Sequence, residues 1–150
     1  MKVYLATDHA GFELKESLKA FLITNSYEVE DCGAFTFDPI DDYPQFIALA
    51  AKKVIQTPGA AGIVFGKSGA GETIVANKIT GIRAILGINE ENVKLARLHN
   101  DANILSLGSQ FVTPEAAQKL VNIFLTTQFS GETRHIRRIE QIKQIENESD

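Results

Sequence analysis

Eight residues near the middle of the chain, Gly66-Lys67-Ser68-Gly69-Ala70-Gly71-Glu72-Thr73, combine an anion cradle with a carboxylate. Glycines at 66, 69 and 71 let the backbone turn sharply and aim several N–H groups at one point. The next run, Ile74-Val75-Ala76-Asn77-Lys78, reads as the body of a helix starting near Gly71, whose first turn adds unpaired N–H groups and the positive dipole end. A site that only holds an anion gains nothing from Glu72 on its rim. A site that takes a proton off carbon and stabilises the resulting oxyanion needs both a base and donors.

The neighbouring motifs narrow the chemistry. Gly66-Lys67-Ser68 is not a nucleotide P-loop, because that motif needs glycine at 61, where the chain has Ala61 at the start of an apolar strand. Asp8 closes the first strand and precedes His9-Ala10-Gly11, a natural N-cap. It is not a phospho-acceptor of the response-regulator kind, which would stand at the end of the third strand, where Gly66-Lys67 lies. Arg134, His135, Arg137 and Arg138 form the densest basic cluster; Arg134 and Arg138, four apart, share a helix face and can clamp one phosphate, or form a plain solvated face. His99 and Asn100 fall where a helix gives way to a strand. Cys32 reads as a small core residue, and no His/Cys/Asp/Glu spacing suggests a metal.

These residues must be positioned by alternating elements. Residues 3–7, 29–32, 62–65, 83–88 and 104–107 read as strands, the third nearly all apolar, as in parallel sheets covered on both faces. Leu14, Leu18, Phe21 and Leu22 set out one helix, and Phe46, Leu49, Ala50 and Val54 a second. A third spans 71–78, Asn89 caps a fourth through Val93, Ala96 and Leu98, and Pro114 opens a fifth that runs to 126. The order predicts an α/β fold: a doubly wound, Rossmann-like sheet of five parallel strands, with ligands beyond the strands' carboxyl ends. Asp8, the glycine loop and Gly108 all lie at such ends. From residue 132 a tail repeats Ile136, Ile139, Ile142 and Ile145 along a charged helix, a stripe suited to a partner subunit.

The 150 residues make one domain, with 44% hydrophobic and 23% charged residues and a net charge of -4. That balance gives no footprint for nucleic acid. No stretch approaches a membrane span or a signal peptide, and a single cysteine excludes an internal disulfide. A cytoplasmic protein is the expectation.

Taken together, these segments resemble one family over nearly the whole chain, the B-type ribose-5-phosphate isomerases with their galactose-6-phosphate isomerase relatives. The matching pieces are Asp8-His9-Ala10-Gly11-Phe12-Glu13-Leu14-Lys15, Asp42-Tyr43-Pro44, the glycine loop through Ala76-Asn77-Lys78, Gly81-Ile82-Arg83-Ala84, Ala96-Arg97-Leu98-His99-Asn100, Leu107-Gly108 and Arg134-His135-Ile136-Arg137-Arg138. The family's base is either a cysteine ending strand three or a glutamate beyond the glycines; with Gly66 and Glu72 in those places, the chain looks like the glutamate version.

The resemblance implies cofactor-free, metal-free aldose–ketose isomerisation in the pentose phosphate pathway, with His99 opening the furanose ring, Glu72 moving a proton between C1 and C2, and Ser68 shuttling one between O1 and O2. It places Asp8 and Asn100 on sugar hydroxyls and His9, Arg134 and Arg138 on the phosphate. Lys67, Gly69, Ala70, Gly71, Thr73, Tyr43 and Gln110 complete the substrate site. Sites shared between the subunits of a homodimer, or of a tetramer, are implied as well. Two positions depart from the pattern: Gln110 stands where the family often has a phosphate-binding arginine, and Lys67 where it commonly has glycine. For Glu72 two effects oppose, since a helix N-terminus lowers a carboxylate's pKa and burial raises it. A six-carbon substrate, allose 6-phosphate or galactose 6-phosphate, is the neighbouring alternative, and a non-catalytic sugar-phosphate-binding module the more distant one.

Overall fold

A computed structural model describes residues 1–148. Five parallel strands form one sheet in the order β2-β1-β3-β5-β4: β1 (Lys2–Thr7), β2 (Glu28–Asp31), β3 (Ala61–Gly66), β4 (Ala84–Leu86) and β5 (Ile104–Gly108). The three central strands are the apolar ones, and every residue of β3 and β5 is buried. Short, less buried β2 and β4 take the edges, and β2 is the polar one.

Helices cover both faces. α1 (Phe12–Thr24), α4 (Glu90–Asn100) and α5 (Pro114–Thr126) bury Leu14, Leu18, Val93, Leu120 and Phe124 against Leu5, Ile63 and Leu105. On the other face α2 (Tyr43–Gln56) and α3 (Ala70–Ala76) bury Ile47, Ala50, Val54 and Ala76 against Tyr4, Val64 and Ile104. The α2 stripe is rotated from the sequence reading: Ile47 and Ala51 are fully buried, and Leu49 is exposed. α3 is shorter than expected, because Asn77 leaves the helix to bond Ala84 through both ends of its side-chain amide, 2.9 and 2.8 Å. β4 shrinks to three residues, since Arg83 N–H turns to the Asn103 side chain, 2.8 Å. Asn89 caps α4 as expected, in a reciprocal capping box with Asn92.

The chain leaves β1 for β2 on one side of the sheet and leaves β3 for β4 on the other. That reversal opens a crevice beyond the carboxyl ends of β1 and β3, where such sheets bind ligands. α4 runs back to the opposite, amino edge. There α6 (Thr133–Glu148) lies across it: His135 stacks on His99 with ring centroids 4.3 Å apart, and the Glu146 carboxylate accepts from Gly81 N–H at 3.1 Å. Ile136, Ile142 and Ile145 stay exposed along α6.

Candidate active site

The crevice is stitched together by its own residues. Thr7 Oγ1 donates to Phe65 C=O at 2.9 Å, tying the ends of β1 and β3. Ser109 N–H donates to Gly66 C=O at 2.8 Å and Gln110 N–H to Lys67 C=O at 3.1 Å, which zips the loops after β3 and β5 side by side. The two positions that depart from the family pattern, 67 and 110, are therefore neighbours. Gly69 sits at φ 80°, a left-handed conformation, and a Cβ there would come within 2.6 Å of Leu86. Its carbonyl accepts from Ser106 Oγ and Thr73 Oγ1, both at 2.7 Å, and this pins the turn that carries Ser68, Ala70 and Gly71. Ser68 is exposed, its Oγ accepting from Ala70 N–H at 3.2 Å; Lys67 is exposed too. Tyr43, the first residue of α2, lies against Gly71.

Glu72, in the first turn of α3, is only 4% exposed. Its carboxylate folds back over Gly66, filling the space a side chain at 66 would need. Burial pushes its pKa above the ordinary carboxylate value, its own backbone N–H pulls the other way, and nearby Asp8 adds a smaller upward push. Desolvation thus outweighs the helix terminus. A base poised upward in this way is stronger than a solvated glutamate.

Asp8 is nearly buried and accepts from Ala10 N–H at 3.0 Å, so it is the N-cap expected and a wall of the crevice at once. His9 follows, half exposed, with Nδ1 2.7 Å from Asp41 Oδ1. Asp8, His9 and Asp41 bring ligand atoms within 4.8 Å of one another, a cluster the linear spacing did not announce. The 2.7 Å hydrogen bond joins Nδ1 to Oδ1, an Asp–His pair beside a second carboxylate, Asp8.

His99, Asn100, Arg134 and Arg138 lie at the amino edge of the sheet, the end opposite Glu72. One chain does not bring the two groups together. Arg134 and Arg138 are exposed, and Arg134 Nε donates to Glu132 at 3.0 Å. His135 corrects the reading of a basic cluster: it is 4% exposed, and burial first, with His99 and the arginines adding to it, pushes its pKa down. The cationic face is arginine alone. Cys32 is a core residue as expected, its thiol pushed up to about 11 by burial.

Sequence reasoning missed Asp41 and Lys15. Lys15 reads as one cation on a helix, yet it is fully buried, donating to both Asp31 oxygens and to Ala34 C=O at 2.7 Å. Only the three-dimensional loop reveals either.

Fold and site define a class: a doubly wound α/β domain with a buried, upward-shifted carboxylate at its topological switch point. Within that class the chain belongs to the Ribose/Galactose Isomerase family, whose model matches residues 3–142. It is 44% identical to the ribose-5-phosphate isomerase B of Mycolicibacterium paratuberculosis over 146 residues, covering 97% of this chain and 92% of the relative. It superposes with a TM-score of 0.93 on the Mycoplasma genitalium ribose-5-phosphate isomerase B with bound ribulose 5-phosphate, at 39% identity over 98% of this chain and 97% of that one. The Clostridium thermocellum ribose-5-phosphate isomerase B gives the same TM-score at 37% identity, with both chains fully covered. Among the described residues no helix is long and apolar enough to cross a membrane.

Proposed function

We propose that the chain interconverts ribose 5-phosphate and ribulose 5-phosphate through an enediolate, with Glu72 as the carbon base. The observation that carries this is the buried Glu72 carboxylate, pushed toward basicity and set against the glycine loop at the switch-point crevice.

In the aldose direction His99 promotes ring opening by moving a proton between the ring oxygen and the C1 hydroxyl. Glu72 takes the proton from C2 as the electron pair of that bond passes through C1 to O1, which becomes the oxyanion of the enediolate. The glycine-loop N–H groups between Ser68 and Thr73 stabilise the oxygens; one such donor is worth about 3 kcal/mol of barrier. Ser68 carries a proton from O2 to O1, and Glu72 returns its own to C1, leaving the ketose. No electrons enter or leave, so the scheme needs no redox cofactor, and it assigns stabilisation of the oxyanion to the loop N–H groups without a metal. Asp8 and Asn100 hold hydroxyls, Tyr43 borders the sugar, and His9, Arg134 and Arg138 hold the phosphate, with Lys67 and Gln110 at the mouth of the loop pair.

Since His99, Asn100, Arg134 and Arg138 sit at the far edge of their own sheet, this scheme takes them from a second copy. A homodimer with two shared sites follows, and the isoleucine stripe of α6 suits that contact. Free sugar phosphates make the cytoplasm the fitting compartment. A coupled assay of ribose 5-phosphate to ribulose 5-phosphate conversion is expected to give turnover that EDTA leaves unchanged. Absence of turnover removes the proposal, and loss with EDTA removes its metal-free form.

The choice of glutamate over cysteine has a steric support. A Cβ at 66 would overlap all three carboxylate atoms of Glu72, so a side chain at 66 and a base at 72 compete for one space. Gly66→Ala is expected to displace the carboxylate by about an ångström and lower kcat on the order of a hundredfold. Wild-type kcat in a folded Gly66→Ala enzyme would show that the base is elsewhere.

A further inference from the structure

His9 is held more firmly than a surface histidine needs to be. Asp41 Oδ1 accepts from His9 backbone N–H at 2.9 Å and from the ring Nδ1 at 2.7 Å, although the two residues are 32 positions apart. The Asp41 side chain is 7% exposed, and its Oδ2 is buried without a hydrogen-bond partner among the described residues. A buried, unpaired carboxylate oxygen costs stability, and folds keep such groups where function uses them. The loop bearing Asp41 is anchored at its start and braced by a turn within it. Lys15 Nζ clamps Ala34 C=O, and Asp38 accepts from Ile40 N–H at 3.1 Å.

We infer that Asp41 is a positioning residue: it fixes the His9 ring through backbone and Nδ1 together and leaves Nε2 as an N–H donor to the substrate's phosphate. This rests on the reading that His9 meets the phosphate. A neutral ring that gives its Nδ1–H to Asp41 presents a lone pair at Nε2, which a phosphate oxygen repels. Only the imidazolium donates from both nitrogens, and Asp41 is the counter-charge that sustains it.

The surroundings agree. The hydrogen bond to Asp41 is the largest influence raising the His9 pKa, partial burial opposes it, and Asp8 and Asp38 add to the rise. Asp8 Oδ2 stands 4.0 Å from Nδ1. Phe37 meets the ring edge-on at 6.3 Å, and Glu13 and Ser109 line the same cavity of about 370 Å³. With carboxylates at 8, 13, 38 and 41 as its charged company, His9 is a cation kept by acidic neighbours for an anion that arrives from outside.

The test compares Asp41→Asn with His9→Asn. The amide introduced by Asp41→Asn keeps an oxygen that accepts from both N–H groups and removes the charge. Titration of the His9 ring by NMR is expected to move down in Asp41→Asn, toward the ordinary histidine value. KM for ribose 5-phosphate should match wild type at acid pH, where both rings are charged, and rise about tenfold at mildly alkaline pH, with kcat within about twofold. A structural role alone would move melting temperature or kcat without this pH-dependent split. An unchanged His9 titration and KM profile in Asp41→Asn, beside a raised KM in His9→Asn, overturns the positioning role alone. An unchanged KM in His9→Asn overturns the phosphate reading and the inference with it.

Discussion

Glu72→Gln is expected to lower kcat by about three orders of magnitude, the range that a positioned general base contributes. Gln has nearly the shape of Glu, keeps its place over Gly66 and has no basic lone pair for the C–H proton. KM should change little, because the phosphate and hydroxyl contacts come from other residues. The pH profile gives an independent reading. Burial holds the Glu72 pKa above the ordinary carboxylate value, so kcat/KM of the wild type should fall on the acid side above the usual carboxylate range. The variant should lose that limb along with the rate.

Unfolding is not a rival explanation. A carboxylate whose folded pKa is raised binds protons more tightly in the folded state, so stability falls as pH rises from the unfolded to the folded pKa. Gln carries no charge and escapes that loss, so the variant should melt at or above the wild-type temperature at neutral pH. Steady-state kinetics and a thermal melt check both statements together. Turnover within roughly tenfold of wild type would remove Glu72 from the chemistry.

What the sequence disclosed depended on how local each signal is. The apolar runs of β1, β3 and β5, the periodic stripe of α1 and the Pro114 start of α5 are local, and they appear where the residues placed them. Edge strands carry weaker patterns: β4 is trimmed because Arg83 and Asn77 spend their groups on tertiary hydrogen bonds invisible in a linear string. The glycine loop was legible because glycines and a carboxylate at short spacing state a geometry. The balance of effects on Glu72 was not, since its burial over Gly66 and the charge of Asp8 beside it both arise only in space. His135 shows the same limit from the other side. Its neighbours in sequence are arginines, whereas its neighbour in space is the His99 ring. Asp41 is the clearest case, an acidic loop residue until the fold carries it to His9.

The separation of the two residue groups leads to the second large effect. Glu72 stands at the carboxyl edge and His99 at the amino edge, so one chain cannot apply both to one sugar. If each site takes Glu72 from one subunit and His99 from the other, Glu72→Gln and His99→Asn proteins should each be nearly inactive alone. Mixed after gentle unfolding and refolding, they should regain activity. A heterodimer of the two carries one site with both defects and one with neither. Random pairing makes half the dimers hetero, so about a quarter of wild-type activity is expected on a closed two-fold dimer. Sites confined to single chains would regain nothing on mixing, because every chain would still carry its own defect. A recovered activity that scales with the heterodimer fraction, measured by native mass spectrometry alongside the assay, ties His99 to chemistry on the partner. Activity that stays at the level of the separate variants would require His99 to act without leaving its own subunit, and the scheme built on its position would fall.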